Sequence, residues 1–360
     1  MHHRSRGPVS GVAHKVAAGL AAASLAACSA IGDTGTTSGS GEESGTVVLV
    51  THDSFAVDKA VMRRFERRSG IDVEVVRAGD AGTVVNQLVL TKDSPLGDVV
   101  FGIDNAFATR ALNAGVLEAY ESPATPRAER LTADDSDRLS PVDFGDVCVN
   151  VDRRWFADRG LREPRTLEDL TAPRYADLLV VSNPATSSPG LSFLLATIGA
   201  YGEDGWRDYW ERLRDNGLSV VDSWSDAYFV DFSGSSGEGQ RPLVVSYASS
   251  PPAVVTKVTD EPPTRALLDT CFRQVEYAGV LANASNPAGA REVVDFLLST
   301  RFQQTIPAQM YMYPVDAQAD LPATWKRYGP LSDSPFRVDP DLIEAQREDW
   351  ITQWTDIVVG

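Results

Sequence analysis

Asn183-Pro-Ala-Thr-Ser-Ser-Pro-Gly-Leu-Ser-Phe-Leu-Leu195 follows an apolar run, Leu178 to Val181, and so passes from a buried strand through a hydroxyl-rich turn into an apolar helix. The first turn of a helix carries N–H groups without internal partners. Thr186, Ser187 and Ser188 can cap those groups, or the same groups can face a bound molecule. Taken alone, the stretch leaves both roles open.

On the N-terminal side the same strand–turn–helix grammar repeats. Val47 to Val50 reads as a strand, Thr51-His52-Asp53-Ser54-Phe55 as its turn, and Val57, Val61 and Phe65 as one face of a helix stopped by Gly70. Ile71, Val73 and Val75 alternate as a strand, Asp80-Ala81-Gly82 turns, and Thr83 to Leu90 fits a helix. Asp98 to Gly102 is a short buried strand, and Asn105 to Leu112 a helix. Such alternation implies an α/β fold with parallel pairing, in which ligands bind beyond the carboxyl ends of the strands.

Pro141 to Val151 reads as a strand leaving this unit and Phe272 to Leu281 as one returning to it. Between them Leu178 to Val181, Leu218 to Val221 and Pro242 to Ser246 alternate with helical stretches, one beginning at Trp224 and one after the capping-box spacing of Thr166 and Asp169. The strand-end turns of this second unit carry Ser187, Trp224 and Tyr247. Asn286-Pro287 starts a helix that Phe302 to Ile306 continues, and Ile343 to Val359 closes the chain as an amphipathic helix. The expected architecture is two α/β lobes, 47–145 with a return at 273–318, and 146–272, followed by a helical segment at 319–360. The strand-end turns of both lobes would face one cleft.

The N-terminus has a basic start, Arg4, Arg6 and Lys15, then an apolar run from Val16 to Ala27 of signal-peptide length. It ends Leu25-Ala26-Ala27-Cys28, which resembles the bacterial lipobox. The reading is a signal peptide over 1–27, lipidation at Cys28, and a Gly/Ser/Thr-rich tether over 28–46, placing an exported body on the outer face of the cytoplasmic membrane. Losing the three basic residues takes the net charge from −17 to −20. That surface disfavours nucleic acid and anionic membrane surfaces, so membrane contact is expected through the lipid. Cys148 and Cys271 remain; the exported setting favours a disulfide, with two separate buried thiols as the alternative.

No GxSxG, P-loop, HExxH or first-strand GxGxxG occurs, so the chain does not read as an enzyme, and no cofactor is expected. Three of the four histidines precede residue 28, leaving His52, which excludes a His-rich metal site. The turns instead offer Trp224, Tyr247, Tyr311, His52 and hydroxyls, with Asp53 and Asp80 close by in sequence. Aromatic faces beside carboxylates suit a flat, cationic heteroaromatic ring. A ferric site from His52, Tyr247 and Tyr311, or a site for another cationic solute, is the alternative; the adjacent tyrosine pair usual in ferric sites is absent.

Six motifs in register carry a resemblance. They are Thr51-His52-Asp53-Ser54-Phe55, Gly102-Ile103-Asp104-Asn105, Pro184 to Leu191, Trp224-Ser225-Asp226-Ala227-Tyr228, Ser246 to Pro251, and Met312-Tyr313-Pro314-Val315. From Val47 to Trp354 the chain resembles the thiamine-binding proteins of bacterial ABC importers. The resemblance implies the type II periplasmic-binding fold, two-lobed with its ligand cleft between the lobes, and a monomer that delivers thiamine or its phosphates to a permease. It places ligand contacts on Trp224, Tyr247, Thr186, Ser187, Ser188 and Asp80. His52, Tyr311 and Ala253 stand where the family usually has tyrosine, tryptophan and tyrosine, so the aromatic cage is lighter.

Overall fold

The computed structural model describes residues 45–124, 131–133, 136–236, 238–255 and 261–360. The signal peptide, Cys28 and the tether through residue 44 lie outside them.

Strand β1 (Thr46–Thr51) pairs in parallel with β2 (Asp72–Arg77) on one side and β3 (Val99–Asp104) on the other. Parallel neighbours need crossovers, here helices α1 (Lys59–Ser69) and α2 (Ala81–Leu90). Asp58 starts α1 by accepting from the amides of Ala60 and Val61, and Gly70 ends it in the left-handed conformation at φ 75°. Along β1 the side chains alternate: Val47 and Leu49 enter one apolar cluster and Val50 the opposite one. The sheet is therefore covered on both faces.

Helix α3 (Ala108–Ala114) begins later than the expected Asn105. The Asp104 carboxylate takes the amides of Ala106 (2.7 Å) and Phe107 (3.0 Å), holding a turn there first. After the short β4 (Leu117–Glu118), the 13-residue β5 (Ser140–Asp152) carries the chain into the second lobe. That lobe contains β6 (Leu179–Ser182), helix α4 (Ser188–Asp215, interrupted at Gly202), β7 (Ser219–Val221) and β8 (Leu243–Tyr247). Then β9 (Thr264–Ala266) and β10 (Phe272–Leu281) lead back, followed by α5 (Pro287–Leu298), β11 (Tyr313–Pro314) and α6 (Pro340–Val358).

The main strand order is β2-β1-β3-β10-β5-β8-β6-β7 in one continuous sheet. Each lobe is a parallel triplet, β2-β1-β3 or β7-β6-β8, closed by an antiparallel crossover strand. The two crossover strands, β10 and β5, pair with each other and join the lobes. A disulfide links Cys148 on β5 to Cys271 just before β10, both fully buried.

Three local expectations differ. The helix expected from Trp224 does begin there, but it widens into a single π-type turn over Asp226–Asp231. The Thr166–Asp169 capping box forms, yet it supports only a 3-10 turn, Glu168–Thr171. Helix α5 stops at Leu298, because Ser299 is extended and caps a new short helix at Thr300. Helix α6 buries Ile343, Trp350 and Trp354; Trp354 meets Trp210 of α4 edge-on at 5.5 Å, and Glu348 pairs with Arg110 of α3. It thus packs on both lobes.

Candidate functional site

The carboxyl ends of β1, β2, β6, β7 and β8 converge on a cavity of about 230 Å³, below the roughly 300 Å³ at which ligand sites usually begin. The first lobe gives it His52, Asp53 and Asp80; the second gives Ser188, Trp224 and Tyr247; Tyr311 comes from the segment before β11.

The His52 ring rests on Gly102, where an added Cβ would come within 2.1 Å of His52 Cδ2; φ is +97° there, so the position requires glycine on both counts. Its Nε2 lies 3.6 Å from Glu276 Oε2. Burial alone would depress the imidazole pKa, but attraction to Glu276, then Asp80 and Asp53, brings it above the ordinary histidine value. Asp53 is tied down by the Gly79 amide at 3.1 Å.

Asp80 occupies the N-cap of α2 without capping it. Its Oδ2 instead reaches across to accept the Trp224 amide at 3.0 Å. Burial pushes this carboxyl up, while the Trp224 amide and the Ser187 hydroxyl draw it back. Asp104, beneath the same wall, is pushed up to about 6 by burial against the pull of Ser188 and the Ala106 and Phe107 amides.

Tyr228 stacks on the Trp224 indole at 5.2 Å and 16°. Indole Nε1–H donates to Ser246 Oγ (3.0 Å), which in turn lies 2.9 Å from Ser250 Oγ. The ring is therefore fixed before any ligand arrives. Tyr247 crosses it edge-on at 6.0 Å, and the Tyr247 hydroxyl faces Gln274 Oε1 at 3.4 Å. Burial drives the Tyr247 phenol well above its ordinary pKa. Tyr311 is 38% exposed and sits at φ 59°, its carbonyl held by the Ser249 hydroxyl.

Thr186 and Ser187 do not line the cavity. The Thr186 hydroxyl is spent on the Asp222 carbonyl at 2.7 Å, and its own carbonyl accepts the Gly82 amide of the other lobe at 3.1 Å. Ser187 stands at the N-cap of α4, fully buried, and makes no capping bond. Of the three hydroxyls of the opening turn, only Ser188 borders the cavity.

The Gly82–Thr186 contact brings the lobes together without side chains. A Cβ on Gly82 would lie 2.7 Å from Phe107 Cζ and 2.9 Å from the Ala185 carbonyl oxygen. Gly82→Val is therefore expected to prop the lobes apart and lower ligand affinity about tenfold, since affinity scales with the closed fraction. Calorimetric titration checks the affinity, and a melting temperature close to wild type shows that each lobe is intact.

Phe229, Ser250, Met310 and Met312 also line the cavity, and nothing in the sequence singles them out individually. Glu276 carries a faint signal: it and Gln274 are polar residues two apart on one strand, and both are buried.

The family of bacterial extracellular solute-binding proteins matches residues 94–330 of the chain. The chain belongs to this family. It is a binding protein working outside the cytoplasm, not an enzyme. Among curated relatives, the thiamine-binding periplasmic protein of Escherichia coli K12 is 28% identical over 313 residues, covering 86% of this chain and 92% of that protein. The protein of the same description from Haemophilus influenzae Rd is 26% identical over 277 residues, 76% of this chain and 79% of its own. Among solved structures, a periplasmic thiamin binding protein superposes with a TM-score of 0.75 at 27% identity, over 87% of this chain and 96% of that one. Iron-bound HitA from Pseudomonas aeruginosa superposes at 0.69 with 21% identity, over 87% and 99%, a likeness of fold alone. The strand order of this solute-binding protein is accordingly that of the type II periplasmic-binding fold.

Proposed function

We propose that this solute-binding protein captures thiamine or a thiamine phosphate and hands it to the permease of an ABC importer, held at the membrane by a lipid on Cys28. The observation that carries the ligand reading is Trp224, braced by Tyr228 and Ser246 at a cavity wall that also holds Asp53, Asp80 and Glu276. A fixed indole beside carboxylates is suited to a flat cationic ring. The relatives named for thiamine binding support the same class of ligand. Ser188, at the start of α4, is placed to meet the polar end or phosphate of such a ligand. The lobes, taken as 47–145 with 273–318 and as 146–272, close over it by hinge motion about β5 and β10.

A ferric reading is less well served by the same residues. Iron binding by tyrosine needs the phenolate, and burial raises the Tyr247 phenol well above its ordinary pKa, which adds to the cost of forming one. No group of three His, Cys, Asp or Glu side chains suited to a metal occurs among the described residues. Native mass spectrometry of the protein as purified tests the assignment. A bound mass equal to thiamine or one of its phosphates is expected; a bound ferric ion would replace the assignment with the ferric one.

A further inference from the structure

On the two strands that join the lobes, Asp143 of β5 and Glu276 of β10 are direct cross-strand partners, beside a register slip between Glu276 and Tyr277. Asp143 is fully buried, and neither of its carboxyl oxygens has a hydrogen-bond partner among the described residues. Glu276 is 4% exposed and borders the cavity. Its Oε1 accepts from Gln274 Nε2 at 2.9 Å, and its Oε2 lies 3.6 Å from His52 Nε2.

We propose that Glu276 is the residue that makes the cleft select a positively charged ligand, and that Asp143 is the positioning residue that holds its carboxylate at the cavity wall. This rests on reading the cleft as the site of a cationic heteroaromatic solute.

Two adjoining buried carboxyl groups do not both ionise. Burial first, and the Glu276 charge second, push Asp143 well above the usual carboxylate range, so the shared proton resides on Asp143. Burial pushes Glu276 up as well, but His52 and its hydrogen-bond donors outweigh this and keep it below its ordinary value, hence ionised. A protonated Asp143 has one O–H to give, and the Glu276 carboxylate is the acceptor beside it. That bond answers one of the two orphaned oxygens of Asp143 and fixes the Glu276 side chain from behind. Around His52 stand Glu276, Asp80 and Asp53, so the wall stays negative even with the imidazole charged. Without the Glu276 charge, burial drives the His52 imidazole toward its neutral form, so the cavity wall loses the carboxylate and is left to Asp53 and Asp80.

The test compares thiamine with 3-deazathiamine, the uncharged isostere in which a thiophene replaces the thiazolium. Wild-type protein is expected to prefer thiamine by calorimetry, and Glu276→Gln to shrink that preference about tenfold by weakening thiamine alone, the size of one charge interaction in a partly buried site. Asp143→Asn keeps an N–H for Glu276 and is expected to retain the preference, whereas Asp143→Val is expected to reduce it. Melting curves establish that each variant is folded, and Glu276→Asp serves as a second variant should Glu276→Gln fail to fold, with a smaller loss expected. Thiamine binding with an unchanged preference in Glu276→Gln overturns this assignment alone. Absence of thiamine binding by the wild-type protein overturns the thiamine reading and this assignment with it.

Discussion

Trp224→Ala is expected to weaken thiamine binding by about thirtyfold or more, roughly 2 kcal/mol, the scale of a desolvated cation–π contact. The ring is braced by a stack on Tyr228 and by its bond to Ser246, so it meets a ligand with little rotamer entropy left to lose. Truncation removes the stacking face, but the main-chain N–H that binds Asp80 stays. Contact between the lobes is thus retained, and the loss reports the ring itself. Trp224→Phe should fall between alanine and wild type, keeping an aromatic face while giving up the indole N–H. Calorimetric titration measures both. A loss under threefold in a folded Trp224→Ala protein would show that the ligand does not lie on this ring.

Replacing Cys148 and Cys271 together with alanine is expected to lower the free energy of unfolding by about 4 kcal/mol, within the range for native disulfides that close long loops. The two residues are 123 apart in sequence, and their bridge joins the interior of β5 to the residue just before β10, where the crossover strands pair. Both are fully buried among apolar neighbours, so alanine leaves no unpaired polar atom and the loss is that of the cross-link. Urea denaturation of oxidised wild type and the double variant gives the difference. A change below about 1 kcal/mol would contradict a stabilising role for the bridge.

Much of the fold could be read from residue patterns, because each lobe repeats one rule of strand, polar turn and helix. The return strand is Phe272–Leu281 as expected, and the helix at Lys59–Ser69 stops at Gly70 for the reason its sequence suggests. What escaped depends on contacts made far along the chain. The Thr186 hydroxyl looks free for a ligand until Asp222, 36 residues on, supplies a carbonyl. The π-type turn after Trp224 has the same composition as an ordinary helix start, and hydrogen bonds rather than side-chain spacing distinguish the two. Glu276 and Asp143 lie on the strands that cross between the lobes, where a turn-by-turn search for binding residues does not reach. The candidate site was legible where its residues lie in strand-end turns, and hidden where a strand itself forms the cavity wall.

Isothermal titration of ligand-stripped protein with thiamine, thiamine monophosphate and thiamine diphosphate in turn tests the ligand assignment. At least one of the three is expected to saturate at one molecule per chain with a Kd of about 1 μM or below. A folded protein that gives no binding heat with any of them, and no change in tryptophan fluorescence, would contradict the account.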